Sequence, residues 1–211
     1  MVPRASLSEI LNLVGTGLTD LGRVPEGQST IVLLGPDRDF WDIFTQSEEW
    51  LRGDPDPVDA WSTRVITDLA NAVEGAPLFP FGGPPYQPFL QWAVDSGEAW
   101  QSPTGPLVHA RLGMMVSYRG ALRVPGVFER RHADKPCHNC SERPCQSACP
   151  VGALSTTKAY DVPACHDFLS SADAQNSCYA EGCRVRRACP ASAGAHRNPS
   201  QSAYHMTRFL P

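Results

Sequence analysis

The side chains of this chain best suited to chemistry are its eight cysteines, all between Cys137 and Cys189. The first four form Cys137-His-Asn-Cys140-Ser-Glu-Arg-Pro-Cys145-Gln-Ser-Ala-Cys149-Pro150, a C-x2-C-x4-C-x3-C-P run. Three thiolates on a tight loop can grip three irons of one cubane, while a fourth on the next turn points away toward a second. Proline then ends the loop and sets the direction of exit. The bacterial two-cluster pattern is C-x2-C-x2-C-x3-C-P, so this run carries two extra residues before its third cysteine. Cys165, Cys178, Cys183 and Cys189 follow with looser spacing, but they end on the same Cys-Pro and complete eight ligands. Crossed ligation then assigns Cys137, Cys140, Cys145 and Cys189 to one cluster, and Cys149, Cys165, Cys178 and Cys183 to the other.

Other uses of eight cysteines compete. Zinc ribbons favour paired C-x2-C knuckles, and only Cys137/Cys140 makes one. A disulfide scaffold needs an oxidising compartment, to which nothing in the sequence points. Catalytic thiols would not need eight. The expectation is two [4Fe-4S] clusters, and with them electron transfer. Arg184, Arg186 and Arg187 lie between two expected ligands, where positive charge and N–H donors near sulfur would raise a reduction potential. A solvated basic loop is the plainer reading. His138 and His166, each beside a cysteine, could replace a ligand, but the cysteine set is already full.

The elements that must position these residues are mixed. Leu7, Ile10, Leu11, Val14 and Leu18 have helical spacing, which predicts an amphipathic helix over Ser6–Leu21. Ser29–Leu34 reads as a short buried strand stopped by Gly35-Pro36. Asp37 or Asp39 could cap a helix through Phe40, Trp41, Ile43 and Phe44. A further helix starts near Pro57, runs through Trp61, Ile66 and Val73, and ends at Gly75. Pro77–Tyr86 is too rich in Pro and Gly for helix or strand, and a helix through Phe89–Val94 leads to Gly97. Pro106–Gly113 and Met114–Pro125 then read as two strands joined by a turn at Leu112-Gly113. The fold class is therefore α+β. A front domain over residues 1–130 precedes a cysteine domain over residues 131–211.

Cys149-Pro-Val-Gly-Ala-Leu154, Asp161-Val-Pro-Ala-Cys165-His-Asp-Phe-Leu169 and the closing Cys189-Pro190 resemble the iron–sulfur module of epoxyqueuosine reductase. That enzyme and the reductive dehalogenases join such a ferredoxin-like two-cluster module to a nitroreductase-like domain that holds cobalamin. Gly105–Gly120, with His109, Gly113, Tyr118 and Arg119, resembles the paired-strand segment of those domains. It is closer still to the cobalamin-processing chaperone that decyanates and dealkylates cobalamins. The resemblance covers roughly residues 80–190 and leaves 1–79 unmatched. It implies a corrinoid pocket containing His109, Tyr118 and Arg119, with Gly113 and Gly120 giving backbone room. Phe81, Gly82, Gly83 and Tyr86 would form its rim, although a rigid surface loop is an equal reading of that segment. The helical extension that helps epoxyqueuosine reductase engage tRNA has no counterpart, and no convincing match exists for its catalytic carboxylate. Asp95 lies in a comparable stretch. Under this resemblance the chain is an oxidoreductase taking electrons from a donor protein to a corrinoid. The alternative is a ferredoxin-type carrier whose front domain only docks a partner.

The bulk numbers narrow the remaining classes. The chain has 211 residues, 42% of them hydrophobic, enough to bury a core. Lys and Arg against Asp and Glu count 9 to 16 over residues 1–130 and 9 to 6 over 131–211, leaving the front at -7 and the back at +3. A net charge of -4 argues against nucleic acid as the main partner, and the basic back offsets the negative charge of bound thiolate clusters. No run approaches the ~18 apolar residues of a spanning helix, and no signal peptide is evident. The expectation is a cytoplasmic protein that binds neither membrane nor nucleic acid.

Overall fold

The structure is a computed structural model and describes residues 11–210. It is a mixed α and β protein with small antiparallel sheets. In chain order the regular elements are β1 (Leu18–Glu26), β2 (Ser29–Pro36), α1 (Phe40–Phe44), α2 (Glu48–Arg52), α3 (Pro57–Ala72), β3 (Ala76–Leu78), α4 (Phe89–Asp95), β4 (Ala99–Gln101), β5 (Leu107–His109) and β6 (Gly120–Pro125). The short helices α5 (Val162–Leu169), α6 (Ala172–Gln175), α7 (Cys178–Glu181), α8 (Arg184–Ala188) and α9 (Pro199–Thr207) follow, with single 3-10 turns among the cysteines. The chain divides into two compact units, residues 1–98 with 117–132, and residues 99–116 with 133–211.

In the first unit the strands lie in the order β1-β2-β6-β3, all antiparallel. Ile31, Val32, Leu33 and Leu34 are fully buried, as expected where a strand has neighbours on both edges and is covered on both faces. Gly35-Pro36 does not stop the strand, because Gly35 still pairs with Thr19 and Pro36 with Leu18. Only glycine fits there: a Cβ on Gly35 would lie 2.2 Å from the Ser117 carbonyl oxygen. Proline is tolerated in the last ladder position, where no further donor is needed. α3 buries Trp61, Ile66 and Ala70. Trp61 meets Phe40 edge-on at 5.1 Å and Phe44 at 6.1 Å, and Trp50 completes the cluster against Phe44 at 5.2 Å. Each such ring contributes about 1.5–3 kcal/mol on burial.

Several expectations are corrected here. Leu18–Leu21 belongs to β1 rather than a helix, because turns with positive φ at Gly15 and Gly17 break the helical path and Val14 is 90% exposed. The helical reading of Ser6–Ile10 lies outside the described residues. Asp39 occupies the N-cap position of α1 without a side-chain capping bond; Asp37 instead accepts from the Asp39 amide. Pro77 and Leu78 join an edge strand, where proline's missing N–H costs nothing. The two strands expected on either side of Leu112-Gly113 do not pair with one another. β5 pairs with β4, and β6 pairs with β2 and β3.

One ion pair in this unit sets a pH dependence. Glu49 is 4% exposed and accepts from Arg64 Nε at 2.6 Å and Nη2 at 3.0 Å. That pairing, ahead of the opposing cost of burial, lowers its pKa from 4.5 to about 2. A carboxylate depressed on folding stabilises fully above its unfolded pKa and loses that stabilisation as pH falls. Arg64 remains 44% exposed, and screening from that side limits the loss in Glu49→Gln to about 1–2 kcal/mol at pH 7. The gap between variant and wild type should hold down to about pH 5 and close mostly between 4.5 and 2. Urea unfolding followed by tryptophan fluorescence reads it, since four of the five tryptophans lie in this unit. A difference independent of pH would contradict the assignment.

The second unit owes little to sheet. β4 and β5 form a hairpin in which Ala99 pairs with His109 and Gln101 with Leu107. The backbones of His109 and Gly113 then exchange hydrogen bonds of 2.9 Å in both directions. The remainder is short helices, several started by proline at the first turn, where its absent N–H has no intrahelical partner to lose.

A candidate metal centre on two sets of cysteines

All eight cysteines are free thiols, Cys145 and Cys178 buried and the others half-buried. They separate into two sets. Cys137, Cys140, Cys145 and Cys189 together line one cavity of about 80 Å³, along with Val108, Met114, Arg143, Pro136, Pro144 and Pro190. That is several times the ~10–15 Å³ that admits a single water. The electrostatics divide the thiols the same way. Burial raises the Cys137 pKa most, Lys135 opposes it, and the neighbouring thiols that raise it further are Cys189 and Cys140. Cys145 is raised by burial, then by Cys189, Cys137 and Cys140. Cys165 is raised by burial and by Cys183 and Cys149, against a hydrogen bond from Tyr160. For Cys178 burial again comes first, the Arg184 amide opposes it, and Cys183 and Cys149 add to it. The thiols acting on these four thus come from within one set each. Crossed ligation would draw on thiols that neighbour one another in this way.

Local sequence explains how distant cysteines reach one cavity. Pro136 and Pro144 each open a 3-10 turn, carrying Cys137 and Cys145 respectively. Pro190 opens the turn after Cys189. The long excursion between them is held by ordinary packing: Val108, Met114, Leu154 and Val185 form a core with Cys145, and Cys137, Cys149, Cys183 and Cys189 pack against it. Arg186 fastens this core, its Nε donating to the Met114 carbonyl at 2.5 Å and its Nη2 to that of Val116 at 2.9 Å. Those carbonyls are thus taken by a guanidinium rather than a strand ladder, which explains the missing strand at Met114–Val116. Ser192 Oγ donates to the Arg186 carbonyl at 2.7 Å and accepts from the Met114 amide at 3.0 Å.

The second set has a cover that the sequence reading passed over. Leu169, Ala174 and Cys178 form a buried cluster against which Cys165, Phe168, Tyr179, Met206, Phe209 and Leu210 pack. The last three belong to α9 and the residues after it. Phe209 stacks on Tyr160 at 6.3 Å and meets His166 edge-on at 4.7 Å. The available signal was Asn198-Pro199 ahead of spaced apolar residues, a helix start.

As bare thiols, four sulfurs crowded at one place repel when ionised and are costly to bury. A cationic inorganic core removes both penalties and requires deprotonated sulfur. No group of three or more His, Cys, Asp or Glu among the described residues could hold a metal ion. The residues at the first cavity fit a group larger than one ion. His138 is exposed, and His166 faces Phe209.

The residues that the resemblance assigns to a corrinoid pocket fall in both units. His109 is fully buried in β5, and its Nδ1 accepts from the Arg111 amide at 3.1 Å. Gly113 approaches the Cys189 loop: a Cβ there would lie 2.3 Å from the Ser192 nitrogen. In the first unit Arg119 pairs with Asp59, donates to Ser62 Oγ at 3.2 Å and lies over the Phe81 ring at 5.8 Å. Gly120 makes room for Ile66 Cδ1. Gly82 and Gly83 border open space, and Tyr86 is 65% exposed. The Tyr118 hydroxyl is buried without a hydrogen-bond partner, and burial followed by the Glu98 charge pushes its pKa up. Asp95 accepts from Gln91 at the end of α4. The structure thus brings Phe81 and Arg119 together, and gives Gly113 and Gly120 packing roles within their own units.

No family model matches the chain, and no curated protein matches it. No helix among the described residues is long and apolar enough to cross a membrane.

Proposed function

We propose that this chain is a two-cluster iron–sulfur electron-transfer protein, with a ferredoxin-like module over its cysteine-bearing unit. The observation that carries the reading is the convergence of Cys137, Cys140, Cys145 and Cys189 on a single cavity, with the other four free thiols remaining for a second group. A bound [4Fe-4S] group would supply one-electron redox chemistry at each set. Cys137, Cys140, Cys145 and Cys189 hold the first group and Cys149, Cys165, Cys178 and Cys183 the second. Val108, Met114 and Leu154 exclude water from one side, and α9 covers the other. Anaerobically reconstituted protein should contain about eight irons and a similar amount of acid-labile sulfide per chain, with a brown colour bleached by dithionite. Zinc in place of iron, or the absence of both iron and sulfide, would overturn the proposal.

A second reading takes the electrons onward to a corrinoid held by a nitroreductase-like front unit, making the chain an oxidoreductase. It rests on the resemblance of Gly105–Gly120 and on the buried, unpartnered Tyr118 hydroxyl, a polar group that ordinarily finds an acceptor or donor. Titration with cobalamin decides between this and a carrier whose front unit docks a donor or acceptor protein. A perturbed corrinoid spectrum, abolished in Tyr118→Phe, supports the corrinoid; an unchanged spectrum leaves the carrier.

A further inference from the structure

Cys189 lines more than the first cavity. With Pro190 it also lines an open cleft of about 550 Å³, built wholly from the cysteine-bearing unit. One residue thus has the candidate cluster site on one side and an accessible space on the other. The volume falls in the roughly 300–1,000 Å³ range of small-molecule sites. The turn that joins Cys189 to the cleft wall is fixed. The Ser192 amide donates to the Cys189 carbonyl at 2.9 Å, while Ser192 Oγ is held between the Met114 amide and the Arg186 carbonyl.

The charged groups on the cleft walls are Arg187 and Arg197 against one carboxylate, Glu181, with the His196 ring beside them. Arg187 is held along α8 by its Nε bond to the Gly182 carbonyl at 3.2 Å and by Glu181 at 2.9 Å. Both side chains of that pair remain exposed in part, 34% and 54%, so the guanidinium stays within reach of an anion. Arg197 donates from Nη2 to the Met115 carbonyl, which ties a second guanidinium to the segment next to Met114. Two guanidiniums to one carboxylate favour anions, and their planar forks of N–H donors suit carboxylate and phosphate oxygens.

We infer that this cleft is where a small anionic one-electron carrier meets the chain, and that electrons pass between it and the first group through Cys189. The inference rests on the two-cluster reading above. A carrier seated in the cleft touches a ligand of the first group directly. The second set is placed differently, with Phe168, Met206 and Phe209 packed against the cluster that contains Cys178. The transfer moves one electron and no proton: the reduced group loses it, the carrier gains it, and no bond forms or breaks.

The test mixes reconstituted full-length protein, reduced with dithionite and freed of excess reductant, with a cobalt(III) oxidant in an anaerobic stopped-flow spectrometer. Tris(oxalato)cobaltate(III) is the anionic probe and hexaamminecobalt(III) the cationic one, each taking one electron. Ala193 is an exposed residue of the cleft wall. At ~10 mM salt Ala193→Glu should slow the anionic probe about three- to tenfold and speed the cationic one, and Glu181→Gln should do the reverse. These differences should shrink at ~1 M salt, where screening leaves a range of about 3 Å. Ala193→Trp, which fills the cleft, should slow both probes at the first group. At fixed ionic strength citrate or inorganic phosphate should compete with the anionic probe, the stronger competitor marking the oxyanion that the carrier presents. In Cys189→Ala the remaining group is the second, and adding Ala193→Glu should leave its rate unchanged. Normal iron and sulfide with rates unmoved by the cleft substitutions, charge effects that persist in the Cys189→Ala background, or competition by neither anion would overturn the inference while leaving the two-cluster reading intact. Protein that takes up no iron would remove that reading, and the inference with it.

Discussion

Replacing Cys189 by alanine should cost the reconstituted protein roughly half of its iron and sulfide, taken from the site formed with Cys137, Cys140 and Cys145. The neighbouring Cys183, six residues earlier in the chain, belongs to the other set by its electrostatic neighbours. A chain that filled its sites in sequence order would give the opposite result, because Cys189 would then close the later site. Retained signal from the set containing Cys149 is therefore the diagnostic outcome. The parallel substitution Cys149→Ala should remove the other half, although Cys149 ends the same local run as Cys137, Cys140 and Cys145. If Cys189→Ala spared the first site and emptied the second, the crossed arrangement would be wrong.

Gly113→Ala should destabilise the cysteine-bearing unit by about 3 kcal/mol or more, the range in which overpacking and a disfavoured backbone conformation add. Gly113 has φ +52, and the added Cβ would meet the Ser192 nitrogen at 2.3 Å and the Ala191 carbonyl carbon at 2.6 Å. Both obstacles are backbone and cannot rotate aside. The residues pushed apart are the Met114–Ser192 contact at 3.0 Å and the turn that begins directly after Cys189. Loss of the first group should accompany the loss of stability, measurable as lower iron retention during mild urea unfolding. Gly82→Ala is the matching control, since a Cβ there meets nothing within 4 Å; its cost should be limited to that of a positive φ, roughly 1 kcal/mol. Wild-type iron retention in Gly113→Ala would argue that the glycine serves a bound molecule rather than the Cys189 loop.

The sequence by itself determined the buried strand at Ile31–Leu34 and the helices at Phe40–Phe44, Pro57–Ala72 and Phe89–Asp95, and it carries the spacing from which the cysteine grouping is proposed. These are local matters: apolar periodicity, proline at a helix start and the spacing of ligands on one loop act over a few residues and leave a readable pattern. It also misread where local pattern and tertiary demand compete. Leu18 has helical spacing from Leu11 and Val14, but two turns of positive φ place it in β1, paired with Pro36. Met114–Val116 has strand composition, but its carbonyls at Met114 and Val116 are claimed by Arg186, seventy or more residues away. Only the tertiary structure decided that Gly113 packs on the turn after Cys189, that Arg186 bonds the Met114 and Val116 carbonyls, and that the helix after Pro199 packs on the second cysteine set. Each of these depends on chain segments remote in sequence arriving at one place, and spacing along the chain carries no record of such meetings.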